Sequence, residues 1–307
     1  MALGAFSLGG ATPAGAPRPS VAAAFGTQYR GVFSPDRVRA LTVLPGGTVT
    51  FDVIDHAESE SEARPSAGEL ERLAPGRWQW TAPAEPGLYP IQVVAAGGTD
   101  SVTLQAFVIV PYDRLEGERL NGYRIGRYPA SPRRGPSGYG PPAGFIEVTA
   151  ENENVLVSPH FQLKQFLCKQ PAGSRKYVVL DERLLLALEH VLERVNEAGH
   201  RASTFHVMSG YRTPAYNRSI GNVRYSQHLW GAAADIFVDE NGDGAMDDLN
   251  RDGRSDVHDA DVLHRLIDAA ATAPDSRGLI GGLGRYPATA SHGPFVHLDV
   301  RGHRARW

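Results

Sequence analysis

The side chains best able to do chemistry gather in the C-terminal third of this 307-residue chain. The run Ser226-Gln227-His228-Leu229-Trp230-Gly231-Ala232-Ala233-Ala234-Asp235 sets a histidine and a carboxylate seven residues apart, with a glycine between them where the backbone can turn. Much later, Phe295-Val296-His297-Leu298-Asp299-Val300 reads as a strand, and alternation puts His297 and Asp299 on one face. Two imidazoles and a carboxylate are a common donor set for catalytic zinc, which takes three protein ligands and keeps one position open for water. By themselves a histidine, an aspartate and a second histidine are more often scattered core or surface residues, so the types and spacing alone do not establish a metal site.

A second set of oxygen donors lies between 239 and 259. Asp239, Asn241, Asp243 and Asp247, then Asp248, Asn250, Asp252 and Asp256, form two tandem copies of Asp-x-Asn-x-Asp-Gly-x-x-Asp. Alternate oxygen donors around a turn-forming glycine suit calcium. The pattern resembles dockerin or thrombospondin-type repeats more than a full EF-hand, because Asn250 and Asp259 stand where the twelfth-position glutamate would be. The competing reading is a solvated acidic loop. Directly after Asp235, it could also form a rim of the metal cleft.

Elements must hold these residues in place. Asp181 is a good helix N-cap, and Leu184, Leu185, Leu188, Val191, Leu192 and Val195 recur at helical spacing before Gly199. A second helix is expected over 259–271. Short apolar runs at 203–208, 232–238 and 295–300 read as strands, so residues 155–307 form an α+β domain. Upstream, residues 39–111 alternate like strands: Val49, Phe51 and Val53; Trp78 and Trp80; Tyr89, Ile91 and Val93; Val102, Leu104, Ala106 and Val108. That spacing predicts a β-sandwich, and Trp80-Thr81-Ala82-Pro83 followed by Gly87-Leu88-Tyr89 resembles bacterial immunoglobulin-like modules. Residues 112–154, with Pro129, Pro132, Pro136, Pro141, Pro142 and Arg133-Arg134, read as an extended linker. Residues 1–38 read as a low-complexity leader whose start resembles the remnant of an export signal without its basic region.

Composition narrows the function classes. A formal charge of -3 and a pI near 6.4 give no field that would draw the whole chain onto nucleic acid. A single cysteine, Cys168, rules out an intrachain disulfide framework and reads as a small buried residue. No stretch reaches the roughly 20 apolar residues of a membrane-spanning helix.

Three motifs in order carry a family resemblance: Ser209-Gly210-Tyr211-Arg212, then Ser226-Gln227-His228-x-x-Gly231-x-Ala233-x-Asp235, then Phe295-Val296-His297-x-Asp299. Together with Ser158-Pro159-His160-Phe161, they resemble the zinc D-alanyl-D-alanine carboxypeptidases and murein endopeptidases over about half the chain. The resemblance implies a fold shared with hedgehog-type domains, and zinc on His228, Asp235 and His297. The implied substrate is peptidoglycan peptide, cut as an endopeptidase or a carboxypeptidase, and the implied location is periplasmic or secreted. Arg212 then fits a substrate carboxylate or a developing oxyanion, or else a structural salt bridge to Asp235. Ser209, Tyr211, Ser226, Gln227 and Tyr286 are candidates to shape the pocket. Related enzymes carry an acid three positions before the last histidine, or a histidine two before it. Here Pro294 and Phe295 occupy those places, so Asp299, then His292, are the candidate general bases. A non-catalytic wall-binding module and a calcium-dependent adhesion protein are the rival readings.

Overall fold

A computed structural model describes residues 22–54, 61–95, 100–130, 139–171, 173, 175–273 and 278–307. Nine strands come first: β1 (Ala22–Tyr29), β2 (Val32–Asp36), β3 (Val38–Val43), β4 (Thr48–Ile54), β5 (Glu62–Pro65), β6 (Glu69–Ala74), β7 (Arg77–Thr81), β8 (Gly87–Val94) and β9 (Ser101–Val108). They form a five-stranded sheet, β2-β1-β4-β7-β6, and a four-stranded sheet, β3-β9-β8-β5. The inward residues of the alternating pattern explain the pairing. Phe51 and Trp80 from the first sheet share one apolar cluster with Leu41, Ile91 and Leu104 from the second. The structure thus differs from the expected leader at its end, because residues 22–36 supply two strands and bury Phe25 and Tyr29. Ala22-Ala23-Ala24 reads as low complexity, yet β1 buries Phe25 and Tyr29 and pairs with β4 on one side and β2 on the other. The remainder of the leader, residues 1–21, lies outside the described residues, as do Arg133 and Arg134.

The stretch read as an extended linker is folded over most of its described length. β10 (Val110–Pro111), the hairpin β11 (Arg119–Leu120) with β12 (Tyr123–Arg124), and β13 (Gly144–Val148) fall before or within it. Ile125, Tyr128, Phe145 and Ile146 are buried in the C-terminal core. The prolines punctuate this segment, but the aromatic and branched residues between them decide its packing.

β14 (Leu156–Ser158), β15 (Phe161–Gln162) and β16 (Lys176–Val178) precede α1 (Glu182–Glu197). The Asp181 carboxylate accepts the Arg183 backbone N–H at 2.9 Å, and the predicted leucine and valine stripe is buried. The helix stops before Gly199, whose φ of 86° is left-handed. Then follow β17 (His206–Ser209), α2 (Pro214–Ser219), β18 (Ala233–Phe237), α3 (Val257–Ala270), β19 (Gly282–Tyr286), β20 (Phe295–Asp299) and β21 (Ala305–Arg306). The sheet order is β17-β18-β20-β19-β21, with α1 and α3 packed together and α3 laid on β19 and β20. The region is α+β, and Cys168 is a free buried thiol within its core.

Candidate metal centre

β18 and β20 are neighbouring antiparallel strands, and their register sets Asp235 opposite His297. His228 arrives from a single 3-10 turn, Gln227–Trp230, which ends at Gly231 with φ 62° and ψ 21°. Glycine is required there for a second reason. A Cβ at 231 would sit 2.8 Å from the Leu180 Cα and closer still to the Val179 carbonyl. The close approach drops the turn onto the segment between β16 and α1 and brings the His228 ring to the sheet.

The donor atoms converge. His228 Nε2 lies 3.3 Å from His297 Nδ1 and 3.2 Å from Asp235 Oδ1, and His297 Nδ1 lies 2.8 Å from the same oxygen. A tetrahedral ion with bonds of about 2.0–2.1 Å spaces its ligand atoms by about 3.3 Å, so the set fits zinc in type and in span. Among the described residues, this is the one group of three histidine, cysteine or carboxylate side chains whose ligand atoms lie within 4.8 Å of one another.

Outer contacts fix each ring. His228 Nδ1 donates to the Gly210 carbonyl at 2.6 Å, leaving Nε2 to face the centre. His297 Nε2 donates to Asp299 Oδ2 at 3.0 Å, leaving Nδ1 inward. Such partners set the tautomer and basicity of ligand histidines. Burial pushes the His228 pKa down. Burial acts the same way on His297, but its hydrogen bonds to the Asp235 and Asp299 carboxylates outweigh it and raise that ring to about 8. Asp235 is raised by burial, yet the two histidines hold it well below the usual carboxylate range.

The other site candidates separate by geometry. Asp299 is fully buried and accepts from His297, from the Gly282 backbone at 2.9 Å and from Arg301 Nε at 2.8 Å. Burial opposes its charge, but the His297 and Arg301 contacts hold its carboxyl far below the usual range. A carboxylate so placed orients a ligand, so the general-base role expected for Asp299 does not suit its position. Arg212 pairs with Asp235 Oδ2, and its Nε donates to Ser209 Oγ at 2.8 Å. Arg212 thus makes the structural salt bridge, which neutralises the oxygen of Asp235 that faces away from the histidines. Tyr211 is buried with its hydroxyl 2.9 Å from that of Tyr128, so it supports the site from beneath. Ser226 precedes the His228 turn and is buried, while Gln227 Nε2 donates to Tyr139 Oη at 3.1 Å.

Tyr286 stacks on Phe295 at 4.7 Å, and the His292 ring meets Phe295 edge-on at 5.0 Å. Phe295 and His297 share a strand face, so both rings lie on the metal side of β20. Sequence reading missed Trp307, whose ring centre is 5.4 Å from that of His297 and whose Nε1 donates to Tyr286 Oη at 2.6 Å. It also missed Arg301; alternation from His297 through Asp299 was the available signal.

The acidic loop joins β18 to α3, anchored in the core by Met246 and Leu249. Its tandem character holds in three dimensions. Asp239 accepts the N–H groups of Asp243 and Gly244, and Asp248 accepts those of Asp252 and Gly253. Asn241 and Asn250 repeat the same contact nine residues apart. Asp243 accepts from Ala245 and Asp252 from Arg254, while Asp247 accepts from Glu240. Asp256 and Asp259 form the capping box of α3. These oxygens act as turn-closing acceptors, and among the described residues no three carboxylates of the loop converge within 4.8 Å of one another.

Residues 159–257, about a third of the chain, match the family model described as Peptidase M15, a zinc-dependent peptidase family. The matched span holds Arg212, His228 and Asp235 but ends before His297, so the third donor comes from the geometry of β20. Among curated protein sequences, none matches the chain. The matched family makes a metallopeptidase the coarse reading of this part of the chain.

Proposed function

We propose that the chain is a zinc peptidase that hydrolyses peptide bonds of peptidoglycan, acting in the cell envelope. The observation that carries this reading is the buried donor triad with both histidines oriented by acceptors of their own. His228, Asp235 and His297 would hold zinc, which would supply Lewis-acid polarisation of a carbonyl and a more acidic water. The protein's share is positional. Gly210 and Asp299 hold the two rings, and Arg212 holds Asp235 so that one oxygen faces inward. His292 is the proton acceptor in this reading. Its Nδ1 lies 2.8 Å from the Gly293 carbonyl, and its ring stands on the metal side of β20 against Phe295. It takes the proton of the attacking water and returns it to the leaving amine. Tyr286 and Trp307 wall the approach to His297. The two-sheet N-terminal region is an immunoglobulin-like sandwich in this reading, and the C-terminal domain has the hedgehog-type arrangement; both rest on the sequence resemblance.

The test is incubation of full-length protein and its His228→Ala variant with intact peptidoglycan, with zinc or with chelator, followed by mass spectrometry of released muropeptides. Products from zinc-loaded wild type alone support the reading, and their masses separate cross-link cleavage from loss of a terminal residue. No products from folded, zinc-loaded wild type across several wall types would replace it with a non-catalytic wall-binding module.

A further inference from the structure

A cavity of about 540 Å³ lies between the two-sheet region and the C-terminal domain, within the size range of ligand sites. Tyr29, Arg30 and Leu41 line it from one side, and Gln227, Trp230 and Arg301 from the other. Two of these residues tie it to the metal centre. Gln227 precedes His228 in the same turn. Arg301 grips Asp299, which holds His297. β20 ends at Asp299, and Arg301 follows His297 by four residues, which at roughly 3.3 Å per residue limits their backbone separation to on the order of 13 Å, the reach of about four residues of extended peptide.

The charge around the cavity is not balanced. Asp181 pairs with Arg183, and Glu182 pairs with Arg39 across the domain boundary at 3.2 Å. Arg301 pairs with Asp299. Arg30 is exposed and, among the described residues, has no carboxylate within 4 Å; Glu182, already paired with Arg39, feels its charge from farther away. It is nevertheless held in place. Arg30 and Gly31, with φ of 50° and 77°, form the two-residue turn between β1 and β2, and the Arg30 guanidinium lies 4.9 Å from the centre of the Tyr29 ring.

We propose that this cavity is a substrate subsite in which Arg30 binds a carboxylate of the wall peptide several residues from the bond placed at the metal centre. The identity of the occupant rests on the peptidase reading. The N-terminal region then contributes directly to substrate recognition through one arginine on a rigid turn.

The probes are a soluble muropeptide and its carboxyl-amidated form, titrated by calorimetry and by tryptophan fluorescence into the zinc-stripped full-length chain. Wild type should bind the acid about fivefold more tightly than the amide, in line with a partly exposed ion pair. Arg30→Asn keeps a residue that tolerates the left-handed conformation and should erase that preference. Arg30→Glu should reverse it. Trp230→Phe should diminish the fluorescence response while calorimetry still records binding. Equal binding of acid and amide by wild type, a preference that survives Arg30→Asn, or no muropeptide binding would each overturn the subsite. A parallel turnover assay with zinc separates the two ideas. Charge-dependent binding without turnover removes the peptidase reading and keeps the subsite. Turnover whose KM ignores Arg30→Asn keeps the peptidase and removes the subsite.

Discussion

Replacing Gly231 with alanine should unfold the metal centre more readily than any ordinary glycine change in this domain, and Gly221 provides the internal control. Both residues have left-handed φ, 62° at Gly231 and 68° at Gly221. A Cβ at Gly221 meets nothing within 4 Å, so Gly221→Ala incurs only the conformational penalty of about 1–2 kcal/mol. At Gly231, the added carbon would also overlap the Val179 carbonyl and lie 2.8 Å from the Leu180 Cα. Those are backbone atoms leading into α1, and the Asp181 N–H is bonded to the Gly231 carbonyl at 3.1 Å, so no side chain can swing away to relieve the overlap. Overpacking of this kind typically adds about 1–3 kcal/mol, for a total of about 2–5 kcal/mol. Denaturant titration of both variants, followed by near-UV circular dichroism, gives the two midpoints. A zinc-competition isotherm reads the displacement of His228. Equal losses in the two variants, or unchanged zinc affinity in Gly231→Ala, would refute the argument that this close approach positions His228.

Asp299→Asn should lower zinc affinity by about 10- to 100-fold by weakening the hold on His297; a chelator-competition titration measures it, and unchanged affinity would show that β20 alone orients the ring. Asp36 has its pKa raised to about 6, first by burial and then by the negative charge of Glu189. The folded state therefore binds this proton more tightly than the unfolded chain, so stability falls as pH rises from about 4 through about 6, by up to about 3 kcal/mol. Asp36→Asn should flatten that part of the stability profile and be the more stable form at pH 7; a profile still falling over this window in the variant would assign the effect elsewhere. Asp259 is fully buried and accepts the N–H groups of Leu249, Asn250 and Asp256 at 2.8, 3.0 and 2.8 Å. Asp259→Asn should cost about 3 kcal/mol in thermal or chemical unfolding, and a loss below about 1 kcal/mol would mean that the loop is not capped through this residue.

Local pattern revealed the elements and the donors. The leucine stripe after Asp181 produced α1, the branched runs produced β18 and β20, and the two motifs around His228 and His297 named the three residues that converge. These features are readable because helix caps, alternation and ligand chemistry depend on residues close together in the chain. The functions of polar neighbours depended on who lies across the fold. Arg212 could face a substrate or Asp235, and only the pairing of β17 with β18 beside the His228 turn directs it to Asp235. Asp299 shares a face with His297 by alternation, but its burial and its contact with Arg301 turn it from a proton acceptor into a support.

The proline-rich stretch after residue 111 misled for a related reason. Composition describes how a chain behaves by itself, whereas Tyr128, Phe145 and Ile146 are ordered by a core supplied from residues far along the sequence. The identity of the candidate donors therefore belongs to the local sequence, because zinc selects residue types. Their spacing, the second contacts that hold the rings, and the cavity joining both halves of the chain belong to the tertiary structure, because each is set by atoms from segments that meet only on folding.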